Sequence, residues 1–420
     1  MHILVIGAGV TGLAAAWYLR ADGHEVTVVE RGSGVALQAS HANGGQLSYN
    51  YVAPLAAPGV LAKLPSWLLR ADAPVRFRPK LDPSQWRWLF DFLCACNRSQ
   101  SEQSTRRLLQ LAFLSRDLMR DLVATEHKLA FDYANSGKLV VHREPNSYKA
   151  ARRLMAYQRT LGCEQEALDA AACVTLEPAL AGIGQDLAGG IFTPGEDSGD
   201  CFKFCESLFK LLSERGVVFK FNTDISRLVR QPDGRVAAFV QHRQHDADHI
   251  VVASGIPSAA LIKSLDLRLP LYPIQGYSLT IPVATHSVAP AISVTDYDRK
   301  VVYARLGDRL RVAGMADIVG RTLLSEPARL MSLRQEAVAM FPLAGDFSNA
   351  QTWCGQRPAT PTSMPVIGPT QYVNLWLSAG QGALGFTLSL GSGKVIADLI
   401  GARTPEIGRF HTHTGYSLRL

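Results

Sequence analysis

The chain begins MHILVIGAGVTGLAAAWYLRADGHEVTVVE, residues 1–30, and this stretch decides the fold. Ile3 to Ile6 is a short apolar, β-branched run, the pattern of a strand buried in a parallel sheet. It breaks into Gly7-Ala8-Gly9-Val10-Thr11-Gly12, after which Leu13, Ala16, Trp17 and Leu19 recur at roughly helical spacing. Gly23 and His24 end the helix, and a second strand, Glu25 to Val29, closes on Glu30. Strand, glycine turn, helix, strand and acid in this order predict a βαβ dinucleotide-binding unit. Gly7 permits the tight turn, Gly9 lets the backbone approach a pyrophosphate, and Gly12 lets the helix pack on the strand. Val10 and Thr11 open the helix, where N–H groups and the positive dipole end face the phosphates. Glu30, 18 positions after Gly12, is placed to accept hydrogen bonds from the ribose hydroxyls. Its charge repels a 2′-phosphate and disfavours NADP.

With 420 residues and 47% hydrophobic content, two domains and a substantial interior are expected. No apolar run reaches the roughly 18 residues of a membrane span. The fold begins at residue 3, which leaves no room for a signal or transit peptide. These features predict a cytoplasmic protein, or one peripheral on the inner face of a membrane. A formal charge of +7 and a pI near 9.0 favour anionic partners: an acidic substrate, a diphosphate cofactor or an anionic lipid surface. The sequence contains no nucleic-acid-binding module, and nucleic acid is not expected as a partner. Seven scattered cysteines without CxxC spacing read as free thiols, and no metal site is expected.

After Glu30 and Arg31, a loop of small residues leads to Ser40-His41-Ala42-Asn43-Gly44-Gly45-Gln46. Its paired glycines amid polar residues suggest backbone threaded close to a ligand. Residues 55–95 change character: Lys63, Trp67, Arg70, Arg76, Arg78, Lys80 and Trp86 to Phe92 alternate basic with large apolar side chains. This reads either as a patch that dips into an anionic membrane interface or as an insertion packed on its own domain with snorkelling arginines. A long helix is predicted over 101–129, another from Cys201 to Arg215, and strands at 137–142 and 189–194. Strands at 216–221 and 248–253, the latter running into Ala253-Ser254-Gly255, belong with the parallel sheet. Residues 265–345 are rich in β-branched alternation and predict a mostly antiparallel sheet with a helix over 328–341. Near the C-terminus a strand at 375–378 opens into Ala379-Gly380-Gln381-Gly382-Ala383-Leu384-Gly385-Phe386-Thr387 and a helix to Ile400. That is a second nest of N–H groups at a helix N-terminus.

The opening stretch, SHANGGQLS, EDSGDCFKF, YPIQGYSLT, GQRPATPTSMPVIG and SAGQGALGFTLSLGSGKVIADLI together resemble the D-amino acid oxidase-like superfamily of flavoproteins, glycine and sarcosine oxidases among them. Within it the likeness is strongest to the bacterial D-amino acid dehydrogenases of the small-subunit type. The motifs follow in matching order over nearly the whole chain. The resemblance implies FAD, with adenosine and diphosphate on Gly7, Gly9, Gly12, Glu30 and Arg31. It sets the isoalloxazine against Ser40, Asn43, Gly44, Gly45 and Gln46 and against Gly380, Gly382, Leu384, Gly385, Phe386 and Thr387. Ala253 and Gly255 join the cofactor residues. The expected fold class is α/β: a Rossmann-like FAD-binding domain, discontinuous over 1–50, 193–262 and 350–412, plus an α+β substrate domain over 51–192 and 263–349.

By the same resemblance, Arg357 of GxRPxT pairs with a substrate carboxylate. Tyr303 matches the spacing of a tyrosine that also contacts it, although Arg305 follows two positions later where the relatives have a four-residue step. The dehydrogenases generally carry alanine at His41 and histidine at Gln381; His41 is thus either a group that contacts substrate or a solvated loop residue. The implied activity is oxidative deamination of D-amino acids to 2-oxo acids and ammonia, by hydride transfer from the α-carbon to flavin N5. Electrons would pass to a non-oxygen acceptor such as a quinone. Oxidation of cyclic or N-substituted amino acids, and a non-catalytic flavin-bound subunit, are the rival readings.

Overall fold

The run Ile3–Ile6 forms the middle of a six-stranded sheet. In the computed structural model, which describes residues 1–52, 54–60 and 73–408, β1 (His2–Ile6) pairs in parallel with β2 (Glu25–Val29) and with His249–Val252. Val218–Lys220 and Leu375–Ala379 extend the sheet in parallel, and Val366–Pro369 closes one edge antiparallel. Every side chain from Ile3 to Ile6 is buried because both faces are covered. Ile3 and Val5 meet α1 (Val10–Ala21) and the helices Arg98–Thr125, Cys201–Glu214 and Ser389–Ile400 in one apolar cluster. Leu4 and Ile6 meet Leu228 and Val236 of a three-stranded antiparallel sheet and Ile262 of the short helix Ser258–Lys263. Parallel strands require this double cover, which explains their unbroken apolar runs.

A nine-stranded sheet forms the second layer. Its order is Gln351–Ala359, Tyr272–Pro282, Arg309–Ile318, Val301–Leu306, Ser293–Asp296, Lys138–His142, Gly189–Thr193 and Glu166–Leu168, with Val75–Phe77 added beside Arg309–Ile318. All pairings but two are antiparallel. One face carries Tyr277, Leu279, Tyr303 and Val312 against Leu333 and Ala337 of the helix Pro327–Met340. The other face receives the 40–46 loop and the helix Pro83–Ala95.

Two expected domain boundaries move. Gln351–Ala359 is an edge strand of the second sheet, so the chain rejoins the first sheet at Val366 rather than at 350. The helix Arg98–Thr125, expected with the substrate domain, buries Leu108 and Leu111 in the cluster of the parallel sheet. The basic, aromatic stretch divides as well. Asp82 caps Ser84 N and Pro83 fills the first turn of Pro83–Ala95. Trp88 and Phe92 stack inward 5.3 Å apart, and Trp88 Nε1 donates to Ala359 O, while Trp86 and Phe90 are exposed. Arg76 does not snorkel but joins Asp317 and Glu326. Lys63, Trp67 and Arg70, and the 409–412 end of the expected FAD-binding domain, lie outside the described residues. No helix among the described residues is long and apolar enough to cross a membrane.

Candidate cofactor and substrate site

The glycine turn does what its spacing demands. Gly7 has φ +109°, and a Cβ there would stand 2.7 Å from Ala253 O; at Gly12 a Cβ would run into Gly7 O. At Gly9 the nearest atom to such a Cβ is Ser40 Oγ at 3.6 Å, so this side of the turn is open. Ser40 Oγ also accepts from Val10 N at 3.2 Å. Gly9, the N-cap of α1, gives no side-chain cap, and the first turn holds no acid. The N–H groups of Thr11 and Gly12 therefore lack intrahelical acceptors at the positive end of the dipole. Glu30 is held by Ala8 N and Gly32 N, both 2.9 Å from its carboxylate oxygens. Each oxygen keeps a lone pair for a ribose hydroxyl. Ala253 N bonds to Ile6 O, Gly255 turns the chain with φ +64°, and Arg31 is exposed.

The loop Ser40–Gln46 is a strap laid across the second sheet. Ser278 Oγ donates to Ala42 O at 2.7 Å and Arg311 Nη1 to Asn43 O at 2.7 Å, while Asn43 Oδ1 accepts from Gly45 N. A Cβ on Gly44 would press on Val302, so that glycine serves a close approach to the protein's own strand. The Gln46 side chain is used by the sheet: Nε2 donates to Val294 O and Tyr303 O, and Oε1 accepts from Thr295. It offers no amide to a ligand, against expectation. Ser48 N donates to Thr387 Oγ1 at 3.0 Å and ties the strap to the second glycine turn.

In that turn Gly380 and Gly382 have positive φ, and a short 3₁₀ turn, Gly382–Leu384, ends on Gly385. Gln381 tucks inward toward Ser378 and Ser392. Phe386, expected at the cofactor, instead packs in the core beside Phe131 and Phe204, with Leu384 against the same cluster. The helix Ser389–Ile400 begins without a side-chain cap or an acid in its first turn.

Arg357 lies on the strap side of the second sheet. Its partner strand faces it with Ile274, and the next position on that face is Gly276. A Cβ on Gly276 would occupy the guanidinium's place. The register shifts between Gln275 and Tyr277, a β-bulge that leaves Met315 at φ +65°. Met315 O accepts from Arg357 Nη1 at 2.8 Å. Among the described residues Arg357 pairs with no carboxylate; burial lowers its pKa, and the Asp317 charge only partly offsets that. Tyr303 does not belong here. It is 1% exposed on the opposite face, edge-on to Phe341 and 3.3 Å from Glu336 O, and is a core residue. Its strand neighbour Val302 points to the strap.

His41 stands edge-on to Phe202 at 4.6 Å and 6.5 Å from the Trp353 ring. Its Nδ1 is buried without a partner among the described residues, and burial, then Arg311, lowers its pKa. Gly276, Met315 and Trp353 were not foreseen. The available signal was a glycine inside an alternating strand, in YPIQGYSLT, which marks a bulge or a close approach.

A dinucleotide seat in one layer and, in the next, a guanidinium that meets no carboxylate among the described residues are the division of labour of a two-domain flavin oxidoreductase. The chain belongs to the FAD dependent oxidoreductase family, whose model matches residues 2–399. FAD is the dinucleotide, and the open side of Gly9, the uncapped α1 and the held Glu30 fit it. The sequence is 47% identical over 418 residues to "D-amino acid dehydrogenase 2" of Ralstonia nicotianae, covering 97% of this chain and 98% of that protein. It is 48% identical over 407 residues to a protein of the same name from Pseudomonas aeruginosa, covering 97% and 96%. In fold it is similar to glycine oxidase from Geobacillus kaustophilus, with TM-score 0.77 and 19% identity over 99% of this chain and 97% of that one. It is similar also to L-proline dehydrogenase from P. horikoshii, with TM-score 0.75 and 15% identity over 98% and 96%.

Proposed function

We propose that the protein oxidises D-amino acids to 2-oxo acids and ammonia, with Arg357 anchoring the substrate carboxylate. The observation that carries this reading is a withdrawn guanidinium that gives one N–H to Met315 O and meets no carboxylate among the described residues. The side chain is part-buried, and a partly desolvated charge with no counter-ion is disfavoured. A planar carboxylate is the partner that the guanidinium fork fits bidentately. The relatives' names support the D-amino acid class.

FAD, when bound, would supply the acceptor for the α-hydrogen and its electron pair. The chain supplies orientation: Arg357 fixes the carboxylate, and with it the hand presented to the cofactor. The strap and the Gly380–Thr387 turn, less the side chains of Gln46 and Phe386, hold the isoalloxazine. The substrate ammonium must first lose a proton, and His41, whose pKa is lowered by burial and then by Arg311, is the imidazole proposed to take it, its ring standing beside Trp353. A base with a lowered pKa keeps working to lower pH, so the acid limb of kcat/KM lies at lower pH than an ordinary imidazole would give, and His41→Ala lowers the plateau about 100-fold. A plateau unmoved by His41→Ala removes that role.

The electron acceptor in this proposal is a membrane quinone. Leu81, Trp86 and Phe90 are exposed beside exposed Arg78, Lys80 and Arg87, a surface suited to an anionic bilayer. Trp86→Ser with Phe90→Ser should then abolish co-sedimentation with anionic vesicles; unchanged sedimentation rejects the membrane part. The substrate reading is tested by anaerobic mixing of the purified flavoprotein with D- and L-amino acids while the flavin absorbance is followed. Bleaching by D isomers alone is expected. No bleaching by any amino acid would sink the assignment and leave the fold and cofactor standing.

A further inference from the structure

We infer that Trp353 selects the substrate's side chain, and that the pocket it walls takes apolar and above all aromatic D-amino acids; this rests on Arg357 being the carboxylate anchor. Trp353, Gly355 and Arg357 alternate along one edge strand and so share its face. Gly355 is in register with Gly276 on the next strand. A Cβ on Gly276 would collide with the Arg357 guanidinium, and a Cβ on Gly355 with the Trp353 six-membered ring. Opposed residues of an antiparallel pair have Cβ positions about 5 Å apart. The indole and the guanidinium therefore lie side by side above two bare glycines. A carboxylate on the second places the substituents of the α-carbon at the first.

The indole is otherwise idle. It is half-buried and belongs to none of the apolar clusters formed among the described residues. Its Nε1 has no acceptor among the described residues, whereas Trp86, Trp88 and Trp376 each donate. Beyond it the wall continues through the imidazole of His41 to Phe202. Of the two carboxylates near His41, Asp200 is already paired with Arg309 and Arg311, and Glu206 is exposed to water, so neither is held ready for a cationic side chain. What remains is a row of ring faces and edges, which favours flat apolar groups.

The test is the preference ratio, kcat/KM for D-phenylalanine over that for D-alanine, in the FAD-loaded enzyme. Trp353→Ala should lower this ratio about tenfold or more, and Trp353→Phe should largely keep it. A ratio unmoved in a Trp353→Ala protein that retains its flavin overturns the inference, as does an equal fall for both substrates. Where Trp353→Ala does not fold, Trp353→Leu serves in its place. The wild-type protein gives a second reading without turnover: phenylacetate should perturb the flavin spectrum at lower concentration than acetate, and equal affinities would also overturn it. Failure of the anchor itself appears elsewhere, as an Arg357→Lys enzyme with unaltered KM for both substrates.

Discussion

The turn leaving the parallel sheet and the edge of the nine-stranded sheet each carry two glycines standing where no Cβ fits, and the two pairs make way for different things. At Gly7 and Gly12 the obstacle is backbone, Ala253 O and Gly7 O. At Gly276 and Gly355 it is the far end of a side chain, Arg357 in one case and Trp353 in the other. Backbone in the middle of a sheet moves only if the sheet moves. A guanidinium or an indole swings aside on its own torsions. The first pair protects the fold and the cofactor seat, and the second protects the direction in which two side chains point.

The contrast can be broken by substitution. Gly12→Ala should cost about 3 kcal/mol or more and yield protein with little bound flavin, read from its visible absorbance and its melting temperature. Gly276→Ala should leave flavin content and melting nearly alone while raising the amino acid KM roughly 10- to 100-fold, the worth of a charge-assisted hydrogen bond. Arg357→Lys should match it in direction, since lysine cannot present a planar fork. If Gly276→Ala melts early and Gly12→Ala does not, the assignment of the two pairs is reversed. Gly355→Ala should have the smallest effect, a few-fold change in the ratio of aromatic to small substrates with little change for D-alanine.

The same contrast explains what could be read in advance. The fingerprint at residues 1–30 was legible because backbone constraints write themselves as fixed glycine spacings with a strand and helix on either side. Arg357 was singled out through its motif, and its role as anchor stays a proposal. Tyr303 was not correctly read, because strand side chains alternate and one position decides the face: Val302 points to the strap and Tyr303 into the core. The bulge opposite Gly276 shifts the register locally, and its trace in the sequence is one glycine inside an alternating strand, which does not say where the register moves. Gln46 and Phe386 lie in stretches that pass the site, yet their side chains turn inward, one to carbonyls of the sheet and the other to phenylalanines. The boundary at 350 failed because Gln351–Ala359 carries site residues while pairing in the second sheet. The aromatic stretch before residue 95 mixes both of its readings at alternate helical positions, Trp88 inward and Trp86 outward.

The parallel sheet takes strands from residue 2 to residue 379, and the bond from Ser48 N to Thr387 Oγ1 closes over 339 positions. During synthesis, at roughly 5–20 residues per second, β1 and β2 wait roughly 20–75 s for Leu375–Ala379 to be made. Through that interval the nascent chain holds an unfinished sheet edge and half a nucleotide seat. Firm flavin loading therefore waits for the second glycine turn, because a chain halted before residue 375 has the seat for the adenosine diphosphate and lacks the Gly380–Thr387 turn.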